Sequence, residues 1–425
     1  MENNLLAIWL WNREVGRLYW DDSLSRAVFA YSPTFLRGNL DIAPLVASIH
    51  SPAALKPLLG SKDKLYQGLP PFLADSLPDK WGNLVFENWR NAHHLRAKQI
   101  TPVDKLSFIG NRGMGALEFR PAIPFEQQPA DLPLTDLYRL SLRIFTERTQ
   151  VQILPEESLT MQSLYAVGTS AGGQHPKALI AINRTTNEIR SGQMEWGDDF
   201  DYYIIKFAER STFPSTQVEY AFYLMVQDLG IDMMPSRLIE VDGALHFLTR
   251  RFDRQNGKRI HIQTLAAMSE TAYSYEDLMR VARQLGISQE EQEQLFLRIV
   301  MNIWGGNVDD HTKNFAFMLS DDGLWHITPA YDITFTTDLD GPAYFNRHEL
   351  SLRGKTDHIT YDDLLRFAQD NSIKRASAML NRAADTLSQW QTYARQAAVP
   401  EPYASRIAHH LRSLITPTAE KEIYE

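Results

Sequence analysis

Gly305-Gly306-Asn307-Val308-Asp309-Asp310-His311-Thr312-Lys313-Asn314, resumed at Ile327-Thr328-Pro329-Ala330-Tyr331-Asp332, is the stretch that decides how the chain is read. Asp309 and Asn314 stand five positions apart in a glycine-punctuated loop, the spacing of base and metal ligand in phosphotransferase catalytic loops. Phosphoryl transfer needs one carboxylate to accept a hydroxyl proton, and hard oxygen ligands to hold Mg²⁺ against the β- and γ-phosphates. Asp309 fits the base, Asn314 one ligand and Asp332 the second. The same residue types also make plain turns, because Asn and Asp bond their own backbone and Gly supplies positive φ. The flanks favour chemistry. Leu295 to Trp304 reads as a buried helix entering the loop and Asn314 to Leu319 as a strand leaving it. A turn at Asp322-Gly323 then returns the chain through Trp325-His326-Ile327, so that a hairpin sets Asp332 beside Asn314.

Composition bounds the alternatives. A chain of 425 residues allows about two to three domains and ample core. The absence of cysteine excludes disulfides and cysteine zinc sites and fits a cytoplasmic protein. A net charge of −9 and a pI near 5.8 argue against binding nucleic acid through the overall field. The early apolar run Leu5 to Trp11 is cut by Asn12-Arg13-Glu14 and lacks a basic leader, so it reads as a strand and not a signal peptide, and no stretch reaches membrane-spanning length.

Three units are expected, 1–126, 127–255 and 256–425. In the first, Ile8 to Tyr19 and Arg26 to Tyr31 read as strands paired around Trp20-Asp21-Asp22, and Asp79 opens a helix through Trp89. Helix capping is the expected role of Asp75 and Asp79. Arg112-Gly113-Met114-Gly115-Ala116 reads as a hairpin turn, having no helix after it. The second unit carries an amphipathic helix from Leu134 to Thr149, then Gly168-Thr169-Ser170-Ala171-Gly172-Gly173-Gln174-His175-Pro176-Lys177, whose small residues let N–H groups approach an anion while Lys177 adds positive charge. Tyr202 to Phe207 is a strand with Lys206 amid apolar residues, and the helix after it carries Glu219, the strand-lysine and helix-glutamate pair that orients α- and β-phosphates in kinases. Strands at Ser236 to Val241 and Leu245 to Thr249 lead to Arg250-Arg251-Phe252-Asp253-Arg254 at the position of a hinge. From Gly257 the pattern turns helical, with helices expected over Ser274–Leu285, Ser288–Trp304, Thr360–Gln369, Ile373–Ala397 and Tyr403–Leu414. The basic face from Lys374 and Arg375 through Arg382 to Arg395 reads as solvated.

These motifs together resemble the HipA family of toxin kinases over nearly the whole chain. The resemblance rests on Phe29-Ala30-Tyr31, the Gly68-to-Asp79 segment, Ser170 to Lys177, Arg251-Phe252-Asp253-Arg254, Asn307 to Asn314 and Pro329-Ala330-Tyr331-Asp332. It implies an α+β, kinase-like bilobal fold with a mixed N-terminal lobe and an all-helical C-terminal lobe. It also implies ATP- and Mg²⁺-dependent phosphorylation of a protein serine or threonine, such as one on an aminoacyl-tRNA synthetase, with arrest of growth. A small helix-turn-helix antitoxin of the HipB kind would be the partner, with DNA reached only through it and no membrane involved. By similarity Asp309 is the general base, Asn314 and Asp332 hold Mg²⁺, Lys206 and the loop Gly172, Gly173, Gln174, His175, Pro176 and Lys177 handle the phosphates, and Arg250, Arg251 and Phe252 with His311 and Tyr331 line the nucleotide. Ser170 occupies the place of an autophosphorylated serine. Better-known members carry glutamate where this chain has Arg250. Two other classes compete: a metal-dependent phosphohydrolase or nuclease built on Asp309, Asp310, His311 and Asp332, from which Lys206 and Glu219 distinguish a kinase, and an inactive scaffold.

Overall fold

The computed structural model describes residues 5–92, 100–122, 133–148, 151–154, 157–168, 173–209, 213–255 and 257–415. The chain begins in a five-stranded antiparallel sheet whose centre is the meander Leu6–Leu10, Arg13–Asp21 and Arg26–Tyr31. Trp11 and Asn12, with φ of 47° and 63°, make a tight turn that splits the first expected strand in two. Leu58–Leu59 and Leu117–Arg120 close the two edges. The fold is α+β, as expected.

A second five-stranded sheet holds Ile189–Ser191, Lys177–Asn183, Phe200–Lys206, Ala244–Arg250 and Ser236–Val241, in that spatial order. Its last hairpin turns at Asp242 and Gly243, both at positive φ, as the Asp-Gly pair requires. The helices Lys80–Ala92, Leu134–Glu147 and Ser158–Gly168 bury Trp81, Val85, Phe86, Leu137, Leu164 and Tyr165 with Ala178, Ile180 and Ile205 of this sheet. Lys80–Ala92, nearer in sequence to the first sheet, therefore belongs to the core of the second.

The helices from Tyr275 onward form one lobe around Gln289–Trp304, which starts at a Ser288/Glu291 capping box and buries Leu295, Phe296, Ile299, Val300 and Ile303. The lobe also contains strands: His261–Thr264, Ala316–Leu319 and Trp325–Ile327 form a small antiparallel sheet at its mouth. The expected helix from Ile373 to Ala397 is two helices, Ala376–Ser388 and Trp390–Gln396, broken at Gln389 so that Trp390 can turn inward against Phe222.

One buried ion cluster pins the hinge to the first sheet. Asp253 accepts from Nε and Nη2 of Arg251, at 2.8 and 2.7 Å, from Arg254 Nη1 at 2.7 Å, and from the Gly115 N–H at 2.8 Å. Arg254 in turn donates to the Gly113 and Gly115 carbonyls. The Arg112-to-Ala116 segment is thus not a hairpin turn; it is a loop whose carbonyls wrap a guanidinium. Burial alone would raise the Asp253 carboxyl, but Arg251 and Arg254 hold it well below the usual carboxylate range. Because removing one partner strands the other charges in the core, Asp253→Ala is expected to cost about 3–5 kcal/mol. The denaturant midpoint measures this, and a shift corresponding to less than about 1 kcal/mol would refute it.

Candidate active site

The site assembles in a cleft of about 620 Å³ between the second sheet and the helical lobe. Lys206, at the end of its strand, meets carboxylates from both sides: its Nζ lies 2.5 Å from Glu219 Oε1 and also bonds Asp332 Oδ1. Glu219 comes from helix Ser215–Leu229. That helix is anchored to the helical lobe by Phe222 against Trp390, by Tyr393 Oη donating to Asp228 Oδ2 at 2.6 Å, and by Gln217 Nε2 donating to the Ala398 carbonyl at 2.7 Å. Burial lowers the Lys206 ammonium, but Asp332 and Glu219 outweigh it and raise it above its ordinary value. Asp332 is likewise held well below the carboxylate range by Lys206 and Lys177 against its burial, whereas burial pushes Glu219 up.

Lys177 pairs in register with Lys206 on the adjacent strand. Burial and the neighbouring ammonium both push its pKa down. Two lysines and two carboxylates thus share one end of the cleft with no net formal charge, Lys177 and Glu219 buried and Asp332 the most exposed of the four.

The catalytic-loop segment is fixed by its backbone. Gly306 sits at φ +66°, and a Cβ there would lie 2.9 Å from the Phe335 ring, so only glycine allows the turn. Its carbonyl accepts the Thr336 and Thr337 N–H groups, both at 3.1 Å. Thr336 Oγ1 accepts the Val308 and Asp309 N–H groups at 2.7 and 3.1 Å, and Asn307 Nδ2 donates to the Asp332 carbonyl at 3.0 Å. Asp332 has φ of 54°, unusual for a non-glycine residue, and this bond helps hold it there. Asn314 Nδ2 donates to the Asp309 carbonyl at 2.7 Å. Among the described residues no donor engages the Asp309 carboxylate, Asn314 Oδ1 or Asp332 Oδ2, so three oxygen groups face the cleft unspent.

Most of the expected residues border this cleft: Gly173, Gln174, His175, Lys177, Lys206, Glu219, Arg250, Phe252, Asp309, His311, Asn314, Tyr331 and Asp332. Phe252 and Tyr331 face each other with ring centroids 5.8 Å apart, and Tyr331 Oη donates to the Lys313 carbonyl at 2.8 Å. Pro176 is buried behind the lysine and its carbonyl accepts the Phe207 N–H. Arg250 reaches Asp201 at 2.8 Å and His175 pairs with Glu209. Arg251 borders the cleft as well, but its side chain is buried and its guanidinium is spent on Asp253 and the Gly192 carbonyl. Gly172 and Ser170 lie outside the described residues. Asp310 is also corrected. It is fully buried, accepts from Tyr275 Oη and the Glu349 N–H at 2.8 Å, pairs with His348 Nδ1 at 2.9 Å, and does not border the cleft. The hydrolase constellation loses a member by this.

Sequence reasoning gave no role to Asn307, Thr336 or Lys313. Asn307 stands inside the quoted loop, but besides Asn302 its partners come from 25 and 29 positions away, and no local pattern marks Thr336. Asp79 was expected to cap a helix with its side chain. Instead its carboxylate accepts the Gly173 N–H at 3.0 Å and pairs with Lys313.

Comparison with known proteins agrees with this architecture. Residues 6–120 match the HipA N-terminal domain and residues 169–413 the HipA-like C-terminal domain. A Sinorhizobium fredii protein named "Putative kinase Y4mE" is 24% identical over 438 residues, covering 99% of this chain and 91% of its own length. The Shewanella oneidensis MR-1 structure titled as toxin antitoxin system HipA, HipB and its operator DNA complex superposes with a TM-score of 0.63 over 96% of each chain at 14% identity, a likeness of fold. With residues 169–413 matched from the glycine-rich segment into the last described helix and its first sheet matched as well, this chain belongs to the HipA family.

Proposed function

We propose that this chain is a HipA-type kinase that transfers the γ-phosphoryl group of ATP to a serine or threonine of another protein. The observation that carries the reading is the Lys206 ammonium held between Glu219 and Asp332, across the cleft from an unengaged Asp309. A hydrolase has no use for a strand lysine fixed by a helix glutamate; a kinase uses it to hold α- and β-phosphates.

Mg²⁺ fits the donors present. Among the described residues no three His, Cys, Asp or Glu side chains converge on one point, so this is not an all-protein cage. One carboxylate and one amide oxygen, Asp332 and Asn314, are the sparse hard set that suits Mg²⁺ when phosphates and water complete the shell. Bound there, the ion would neutralise charge developing on the phosphates. Lys206 and Lys177 would pair with phosphate oxygens, Phe252 and Tyr331 would flank the nucleotide, and Asp309 would take the proton from the attacking hydroxyl. The titled Shewanella complex supports a HipB-like helix-turn-helix antitoxin as partner, with DNA contacted through it. A translation component such as an aminoacyl-tRNA synthetase is the target class carried over from the family resemblance.

Three outcomes are expected. Asp309→Gln should bind nucleotide about as the parent does and lose about two to four orders of magnitude in transfer from radiolabelled ATP; a loss under threefold would unseat Asp309. Asp332→Ala should abolish the Mg²⁺-dependent part of ATP affinity by calorimetry, since a methyl group cannot replace an anionic ligand; equal affinities for variant and parent would remove Asp332 from the site. Incubation with MgATP should place phosphate on Ser170 in the parent and not in Asp309→Gln, and the modified pool should have lost ATP binding. A phosphate adds about −1.5 to −2 charge beside the loop meant for ATP. Phosphorylated Ser170 with undiminished ATP affinity would refute self-inhibition.

A further inference from the structure

The segment Asp75 to Trp81 runs across the mouth of the cleft and is tied to both sides. On the helical-lobe side, the Asp75 carboxylate accepts the Thr264 N–H at 2.7 Å and the Thr264 hydroxyl at 2.8 Å, and the next residue, Leu265, donates its N–H to the Phe315 carbonyl at 2.7 Å, directly after Asn314. On the second-sheet side, the Trp81 N–H donates to the Gly173 carbonyl at 3.1 Å, Trp81 Nε1 to the Lys177 carbonyl at 2.9 Å and Lys80 Nζ to Gln174 Oε1 at 3.0 Å. Asp79 stands in the middle. One of its oxygens accepts the Gly173 N–H at 3.0 Å and the other pairs with Lys313 of the catalytic loop, both side chains being three-quarters shielded.

A carboxylate with one oxygen on each side of a cleft couples the two sides mechanically, because moving either loop breaks a charge-assisted bond. Gly173 needs such a hold. It sits at φ +95° with Lys177 Nζ only 2.5 Å from where a Cβ would be, so it carries the close approach of the lysine to the loop.

Resting on the kinase reading above, we propose that Asp79 is a positioning residue: it clamps the end of the glycine-rich loop to the catalytic loop through Gly173 and Lys313, so that the nucleotide cleft is held closed by a strap from the N-terminal segment of the chain. Asp79→Asn keeps an acceptor for the Gly173 N–H but loses the charge that holds Lys313. Closure then becomes less favourable and the apparent ATP affinity falls by the lost fraction of the competent state. The KM for ATP should rise about five- to tenfold while kcat stays within about threefold.

The test pairs this kinetic split with amide hydrogen exchange of the ligand-free chain, which needs no activity. Lys313→Gln should accelerate exchange at Gly173, on the opposite side of the cleft, and Asp79→Asn should accelerate it at Lys313 and Asn314, with the exchange of helix Gln289–Trp304 unchanged in both. Exchange at Gly173 indifferent to Lys313→Gln would overturn the clamp. So would a KM change that follows a general loss of stability, read as faster exchange throughout Gln289–Trp304. A parent chain that turns over no ATP would overturn the kinase reading instead, and the exchange arm would still decide whether Asp79 couples the two loops.

Discussion

The Lys206 ammonium touches a carboxylate from each half of the molecule, and the remainder of the site is arranged to make that contact possible. Charges taken out of water must be paired closely or the fold will not hold them. That constraint explains why helix Ser215–Leu229 is anchored in the helical lobe through Phe222 and Asp228, and why Asp332 is kept at positive φ by Asn307. Glu219 is presented by a helix whose opposite face is core, so the lysine–glutamate pair is built into the packing of the two lobes.

The balance of charge in the cleft also says what it can receive. Lys177 and Lys206 stand against Glu219 and Asp332, a neutral set in which Asp332 keeps one oxygen free and Lys177 is destabilised as an ammonium by burial and by its neighbour. A polyphosphate with a divalent cation, the proposed occupant, would bring both signs at once, its anionic oxygens to Lys177 and Lys206 and its cation to the spare Asp332 oxygen. An anion alone or a cation alone would unbalance the set, which is an electrostatic reason for the two to arrive together.

How much of this was legible depended on sequence distance. Asp309 to Asn314 and the Pro329-to-Asp332 return were readable as neighbours because carboxylate, amide and turn residues lie in one loop with helix and strand flanks. Lys206 and Glu219 were readable because a lysine inside an apolar strand is conspicuous. Arg251 was readable as a residue beside the cleft, but not that Asp253, two residues on, draws its guanidinium into the core. Asp79 was taken for a helix cap because Asp before a helix usually is one; its partners Gly173 and Lys313 lie 94 and 234 positions away. The small sheet at the mouth of the helical lobe was missed in part because His261–Thr264 is short and pairs with a strand more than fifty residues later. Local pattern finds groups that act together in one loop, and it is blind to a side chain recruited from another domain.

The central claim is that this cleft moves a phosphoryl group from ATP to a protein hydroxyl. Mass spectrometry of a dephosphorylated cytosolic lysate, incubated with MgATP and either the parent chain or Asp309→Gln, addresses that most directly. The account predicts a new phosphoserine or phosphothreonine on a lysate protein in the parent reaction, and its absence with Asp309→Gln. Release of inorganic phosphate from ATP with no protein phosphorylated, on the chain itself or on any lysate protein, would contradict it.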